Sequence, residues 1–269
     1  MSNTKGVLVD LTKCIGCGSC SVACKLWNGT SFDKEKPATN ETGKDAILND
    51  KNWTIVTKHE VKNTEGKPIW RFVKQQCMHC VEPACVSACF SKALQKDENG
   101  AVVYYPDLCV GCRYCMVACP FDVPKYEWEK ALPLVTKCQM CASRIANGDS
   151  PACVGVCPTN VMKFGNRDEL LKEAERIVAN NPQYVRQIYG ATEVGGTSWL
   201  YISDVDFGKL GFKTNLESIP PSTYTQRYLS KVPFLAVGWG AFLAGLAYYS
   251  NRRMKLENER QENSSSHEK

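Results

Sequence analysis

Sixteen cysteines in 269 residues fall into four groups of four, most of them spaced so that one short loop delivers three thiolates to a single cluster. Cys14, Cys17, Cys20 and Cys24 form the first group, and Cys77, Cys80, Cys85 and Cys89 the second. Cys109, Cys112, Cys115 and Cys119 form the third, and Cys138, Cys141, Cys153 and Cys157 the fourth. The third group, closed by Pro120, follows the run C-x2-C-x2-C-x3-C-P throughout, in which the fourth cysteine crosses over to ligate a neighbouring iron–sulfur cluster. At four ligands per cubane every cysteine is used. Four [4Fe–4S] clusters and electron transfer are therefore the expectation.

Two other uses of cysteine fit less well. A C-x2-C-x2-C run packs three sulfurs into one turn, where partners do not readily reach relaxed disulfide geometry. A disulfide-built secreted chain would also be short and carry a signal peptide. Zinc would suit Cys138 and Cys141 taken alone, but it leaves the third cysteine of each run idle.

The chain also repeats itself. Asp10 to Cys24 reads D-L-T-K-C-I-G-C-G-S-C-S-V-A-C, and Asp107 to Cys119 reads D-L-C-V-G-C-R-Y-C-M-V-A-C. Groups two and four share a different signature, P-A-C-V, at Pro83 to Val86 and at Pro151 to Val154. The order A, B, A, B leaves two ways of exchanging fourth cysteines. Either group one pairs with two and three with four, or one pairs with four around a nested pair of two and three.

The four groups, the x4 step from Cys80 to Cys85, the x11 step from Cys141 to Cys153 and the run Cys157-Pro158-Thr159 resemble the four-cluster iron–sulfur subunit of the molybdopterin oxidoreductase family. That family includes the beta subunits of membrane formate dehydrogenases, and related subunits of nitrate, dimethyl sulfoxide and polysulfide reductases and of some nickel–iron hydrogenases. The resemblance covers roughly residues 5 to 200 and is specific in its cysteines. It implies the nested pairing. One cluster then takes Cys14, Cys17, Cys20 and Cys157, and its neighbour takes Cys24, Cys138, Cys141 and Cys153. The other unit holds one cluster on Cys77, Cys80, Cys85 and Cys119 and one on Cys89, Cys109, Cys112 and Cys115. The nitrate reductase branch typically has tryptophan in place of one ligand; here all four groups keep four cysteines, so no three-iron site is expected.

Small residues between the ligands, Gly16, Gly18, Ser19 and Gly111, with Ala23, Ala88 and Ala118 before the fourth cysteines, let backbone N–H groups approach a cubane closely. Such donors, with burial and charge, set reduction potential. The formal net charge is +5, but four cubanes with their thiolates bring about −8. A nucleic-acid partner is therefore not expected. Lys13, Lys25, Arg113 and Lys137 read as local charge compensation, His79 as a packing or outer-sphere residue, and His59 and His267 as surface residues. Met78, Met116 and Met140 read as apolar cover for the clusters, and Trp53, Trp70, Trp128 and Trp199 as core or interface residues.

The fold class expected is α+β: two pseudo-symmetric ferredoxin-like units with inserted hairpins, plus a single C-terminal transmembrane helix. Residues 1–76 with 120–226 make the first, discontinuous unit, and residues 77–119 the second. Strands are expected at Val7 to Val9, Val161 to Phe164 and Trp199 to Ile202. Hairpins are expected at Trp53 to Val73, around Asn63-Thr64-Glu65-Gly66, and at Ala93 to Tyr104, around Asn99-Gly100. Residues 28–50 read as a surface excursion. Asn166 with Glu169 starts a helix with apolar Leu170, Leu171, Ala174, Ile177 and Val178, and Asn181-Pro182 stops it.

Val232 to Ser250 gives 19 residues without a charge, enough at about 1.5 Å each to span a hydrocarbon core. Residues 227–255 are thus a membrane anchor in the lipid bilayer, with Ala236, Gly240 and Ala244 forming a flat stripe for another helix. Residues 256–269 read as a disordered tail. Arg252, Arg253 and Lys255 place the C-terminus in the cytoplasm and the cluster domain on the periplasmic side of the inner membrane. No N-terminal signal is visible, so export would rely on a partner, as the resemblance to formate dehydrogenase beta subunits implies.

No dinucleotide fingerprint, phosphate loop or acid–base pair is present, so catalysis is expected elsewhere. The expected function is that of an electron-transfer subunit between a catalytic molybdopterin-type partner, formate dehydrogenase first, and a membrane cytochrome b or quinone-reactive subunit. The alternatives are the iron–sulfur subunit of a nickel–iron hydrogenase or respiratory reductase, a freestanding membrane-tethered ferredoxin, and a zinc-built interaction module.

Overall fold

Val7, Leu8 and Val9 are apolar on both faces, so a strand made from them must be covered above and below. A computed structural model describes residues 4–32, 42–62 and 66–267, with side chains described to residue 260. In chain order these form β1 (Lys5–Asp10), α1 (Ser19–Asn28), β2 (Thr42–Gly43), β3 (Ile55–Lys62), β4 (Pro68–Gln75), α2 (Ala84–Ser87), β5 (Leu94–Lys96), β6 (Val102–Tyr104) and α3 (Tyr114–Ala118). They continue with β7 (Lys125–Tyr126), β8 (Val135–Thr136), α4 (Ala142–Ala146), α5 (Ala152–Gly155), β9 (Met162–Asn166), α6 (Arg167–Asn180), β10 (Trp199–Ile202), α7 (Pro221–Leu229) and α8 (Val232–His267). Mixed helix and strand content matches the expected class.

Strand β1 is the centre of a three-stranded sheet, parallel to β10 and antiparallel to β9. Successive side chains point to opposite faces. Leu8 joins Leu170, Ala174, Val178, Leu200 and Ile202 in a core against α6, while Val7 and Val9 join Trp199, Tyr201 and Phe207 in the larger core on the other face. The first ten residues are thereby tied to residues 162–202. Helix α6 begins where Asn166 Oδ1 accepts the N–H groups of Asp168 and Glu169 at 3.0 and 3.5 Å, satisfying two free donors of its first turn. It buries Leu170, Ala174 and Val178, one residue per turn, against the sheet.

Strands β3 and β4 pair antiparallel from Ile55 opposite Gln75 to Lys62 opposite Pro68. Most of the expected turn, Asn63, Thr64 and Glu65, lies outside the described residues. In the excursion at 28–50, residues 33–41 are likewise outside. The return limb stays largely on the surface, with Lys44, Asp45 and Ile47 exposed, but Ala46 is buried and Leu48 packs against Cys77, Val123 and Cys138. The β5–β6 hairpin carries its own core with Cys85, Ala93, Leu94, Val102, Tyr104 and Cys115, and Val135 and Tyr126 pack onto it.

Residues up to Ser222 form one compact unit and residues from Thr223 a second. Pro221 to Arg260 is helical, and it is the one helical stretch among the described residues long and apolar enough to cross a membrane. The helix departs from expectation at its end. It runs on to His267 instead of giving way to a disordered tail after residue 255. Glu, Lys and Arg are good helix formers, and Arg253 Nε donates to Glu257 Oε1 at 3.0 Å one turn later.

Candidate iron–sulfur cluster cages

The two A groups fold alike. Each enters through a short 3-10 turn, Leu11–Lys13 or Pro106–Leu108, and each turns at a left-handed glycine, Gly16 at φ 72° or Gly111 at φ 70°. Each then starts its helix, α1 or α3, after a second left-handed residue, Gly18 at φ 74° or Arg113 at φ 60°. The two B groups fold alike in another way. Pro83 and Pro151 lead into the one-turn helices α2 and α5, which carry Cys85 and Cys153. His79, Met140 and Cys141 hold positive φ without being glycine, a strained conformation that surrounding contacts must impose.

These loops gather the sulfurs into quartets. Cys14, Cys17, Cys20 and Cys157 line one cavity, together with Lys74. Cys24, Cys138, Cys141 and Cys153 line a second, together with Thr54 and Trp199. Burial pushes the Cys80 thiol well above its usual range, and the neighbouring sulfurs of Cys77, Cys119 and Cys85 push the same way. Burial likewise raises Cys115 to about 11, with Cys89, Cys109 and Cys112 as its sulfur neighbours. All sixteen cysteines are free, and only Cys17 and Cys112 are exposed.

Donors point at the sulfurs. Gly111 N–H reaches Cys109 Sγ at 3.4 Å, Met140 N–H reaches Cys138 Sγ at 3.3 Å, and Asn28 Nδ2 reaches Cys24 Sγ at 3.5 Å. Burial works against ionisation of Cys89, but the backbone of Leu94, the Ser91 hydroxyl and the backbone of Ala93 and Ser91 outweigh it and draw that thiol down. Elsewhere burial dominates and raises Cys20 and Cys85 to about 12 and Cys141 to about 11. Without iron such thiols stay protonated, and the thiolate is the metal-binding form.

The residues fit [4Fe–4S] clusters on three grounds. The donor sets are purely thiol, the softest ligands the chain has. The two cavities bring four cysteines each to one wall, the full ligand set of a cubane. Trp199, which walls the second cavity, has its indole Nε1–H buried without a partner, and so has His79 Nε2. Orphaned buried donors of this kind are rare and call for an acceptor.

The basic residues divide. Lys13 is exposed and pairs with Asp10 at 3.1 Å. Arg113 stacks near the rings of Tyr126 and Trp128, 5.5 and 5.0 Å from their centroids. Lys25 is buried, but its ammonium donates to the carbonyls of Ser31 and Lys51 at 2.9 and 3.3 Å and ties down a loop. Lys137 is buried with its ammonium on the carbonyls of Val102 and Cys138. His79 is fully buried, and its Nδ1 accepts from the Val102 N–H at 2.8 Å, an orienting role. His59 is half-buried rather than on the surface, with its Nε2 2.8 Å from the Thr57 hydroxyl. Met78 and Met140 are core residues, as is Trp199, whereas Trp70 and Trp128 are exposed. Sequence reasoning missed Lys74. A strand lysine carries no mark of burial in itself; the usable signal is that Lys74 and Lys137 each stand just before a B group.

A protein with these thiol cages is of the iron–sulfur electron-transfer class. Models of the 4Fe–4S dicluster domain match residues 13–93 and residues 68–167. The hydrogenase-2 operon protein HybA of Escherichia coli O157:H7 is 34% identical over 286 residues, spanning 93% of this chain and 85% of that protein. The formate dehydrogenase-O iron–sulfur subunit of Escherichia coli (strain K12) is 34% identical over 252 residues, 90% of this chain and 81% of that one. A protein of Nitratidesulfovibrio vulgaris is 40% identical over 265 residues, 95% of this chain and 69% of its own length. The chain belongs to the family of iron–sulfur electron-transfer subunits that contains these formate dehydrogenase and hydrogenase-operon proteins.

Proposed function

We propose that this chain holds four [4Fe–4S] clusters in a row and carries electrons between a catalytic subunit and a membrane subunit. The cages are I (Cys14, Cys17, Cys20, Cys157), II (Cys24, Cys138, Cys141, Cys153), III (Cys77, Cys80, Cys85, Cys119) and IV (Cys89, Cys109, Cys112, Cys115). Clusters in these cages supply one-electron carriers. The chain's residues supply order and insulation. Cys20 of cage I neighbours Cys153 of cage II, Cys138 of II neighbours Cys77 of III, and Cys85 of III neighbours Cys115 of IV. The order I, II, III, IV follows. The observation that carries the reading is that the two exposed cysteines, Cys17 and Cys112, belong to the terminal cages. Each is beside an exposed apolar residue at the same place in the repeat, Ile15 at one end and Val110 at the other, which suits a protein contact that excludes water.

The catalytic partner is a molybdenum or tungsten formate dehydrogenase subunit, by kinship with the formate dehydrogenase iron–sulfur subunits. HybA supports a second reading, a hydrogenase complex, because its match spans nearly the whole chain. The anchor is the helix from Pro221 to Arg260, with the membrane partner a cytochrome b or quinone-reactive subunit and the cluster unit on the periplasmic side. Metal analysis of the complex purified from its native membrane tests the assignment. Molybdenum or tungsten supports the first reading, and nickel without either defeats it. Protease treatment of spheroplasts tests the side: cleavage of the cluster unit is expected, and protection would overturn that placement.

A further inference from the structure

Lys74 lies between two cages, and among the described residues it forms no ion pair with a carboxylate. Its side chain is 2% exposed and lines the cavity of cage I. Its ammonium is 4.3 Å from the ring centroid of Trp199, and Trp199 walls cage II. The ammonium donates to Gln76 Oε1 at 2.6 Å. Gln76 Nε2 in turn donates to Tyr201 Oη at 2.7 Å, and Tyr201 Oη donates to the Lys74 carbonyl at 3.1 Å. Every one of these partners is neutral. The sulfurs nearest in effect to Lys74 belong to both cages, Cys20 in cage I and Cys153 and Cys138 in cage II, with the Tyr201 phenol beside them.

A buried charge left unpaired is strongly destabilising. A network of amide, phenol and indole solvates the ammonium without neutralising it. The negative charge that completes the site must come from what the two cages hold. The inference rests on the four-cage reading above. We propose that Lys74 is the shared counter-charge of the clusters in cages I and II and raises the reduction potential of both. Reduction adds one negative charge to a cluster, and a fixed positive charge in a low-dielectric setting favours the reduced form. Cage IV has no such ammonium beside it among the described residues; its charged neighbour, Arg113, is exposed and stacked on aromatic rings. Lys74 lines cage I and lies against the Trp199 wall of cage II, so its effect falls at that end of the row, while the buried Lys137 stands beside cage III.

The test is an EPR-monitored redox titration of the detergent-solubilised full-length holoprotein as wild type, Lys74→Met and Lys74→Arg, with iron measured on each sample. Methionine fills the space without charge, and arginine keeps the charge. In Lys74→Met two of the four couples should fall at least tenfold in reduction equilibrium, about 59 mV for one electron, while the other two stay in place. In Lys74→Arg both should remain within threefold of wild type. Unmoved couples in an iron-replete Lys74→Met sample would overturn the proposal. So would an arginine variant displaced as far as the methionine one, which would make position 74 a packing site. If Lys74→Met loads less iron, Lys74→Gln is titrated in its place against the same criteria. Wild type with far less iron than four cubanes require would sink the four-cage reading itself, an outcome distinct from unmoved potentials in a fully loaded protein.

Discussion

Single residues decide how tightly the loops can wrap. At Gly16 the backbone has φ 72°, and a Cβ built there would meet the Phe72 ring at 2.3 Å. Gly29 is also left-handed, at φ 64°, but a Cβ there would meet nothing within 4 Å. Alanine at Gly29 should therefore cost only the left-handed penalty, about 1–2 kcal/mol. Alanine at Gly16 should cost about 1–3 kcal/mol more through overpacking against a ring that is itself packed in the core. The apparent thermal midpoints of the anaerobic holoprotein should fall in the order wild type, Gly29→Ala, Gly16→Ala. Equal midpoints for the two variants would show that Phe72 yields. A second contact, between the Arg71 guanidinium and Asp204, joins β4 to the segment after β10 through two charge-assisted hydrogen bonds, one of them from Nε to Oδ1 at 2.8 Å. Asp204→Ala should cost about 1.5–3 kcal/mol, read as a lower midpoint, and no change would mean that solvent replaces the carboxylate freely.

Elements made of regular patterns could be read from sequence, and α6 shows why. Its cap, its apolar spacing and its proline stop are all local, so the expected helix and the observed one nearly coincide. Replacing Asn166 with alanine should remove about 1 kcal/mol of capping. The measurement is amide exchange at Asp168 and Glu169, expected about fivefold faster than wild type, with Asn166→Asp close to wild type; equal exchange in Asn166→Ala would mean another group satisfies those donors. The hairpin β3–β4 and strand β1 were legible for the same local reason. Less legible were features set by distant segments. The residues left both cluster pairings open, because the choice depends on which strands bring groups together, and β1 with β9 and β10 does this across more than 150 residues of chain. The burial of Lys74 depends on Trp199, Tyr201 and cysteines from other groups. The tail after residue 255 was misread as disordered, because its polar composition suits a solvated helix as well as a coil.

For the whole molecule, two properties follow from the cluster unit and the apolar helix, each taken by itself. The helix around Leu243 is uncharged and exposed, and arginine at the centre of a span costs about 2.5–3.5 kcal/mol on insertion scales. Leu243→Arg should shift the chain from the carbonate-resistant membrane pellet toward the soluble fraction; unchanged retention would mean that a partner subunit, and not this helix, holds the chain to the membrane. The central claim concerns the cages. Four cysteine quartets, mostly buried or half-buried and with backbone donors on their sulfurs, are proposed each to surround a cubane. Iron, zinc and acid-labile sulfide should be measured on anaerobically purified full-length protein, together with low-temperature EPR after reduction. About 16 iron and 16 sulfide per chain, four reducible couples and no stoichiometric zinc should be found. Zinc in place of iron, or a colourless chain without an EPR signal, would contradict it.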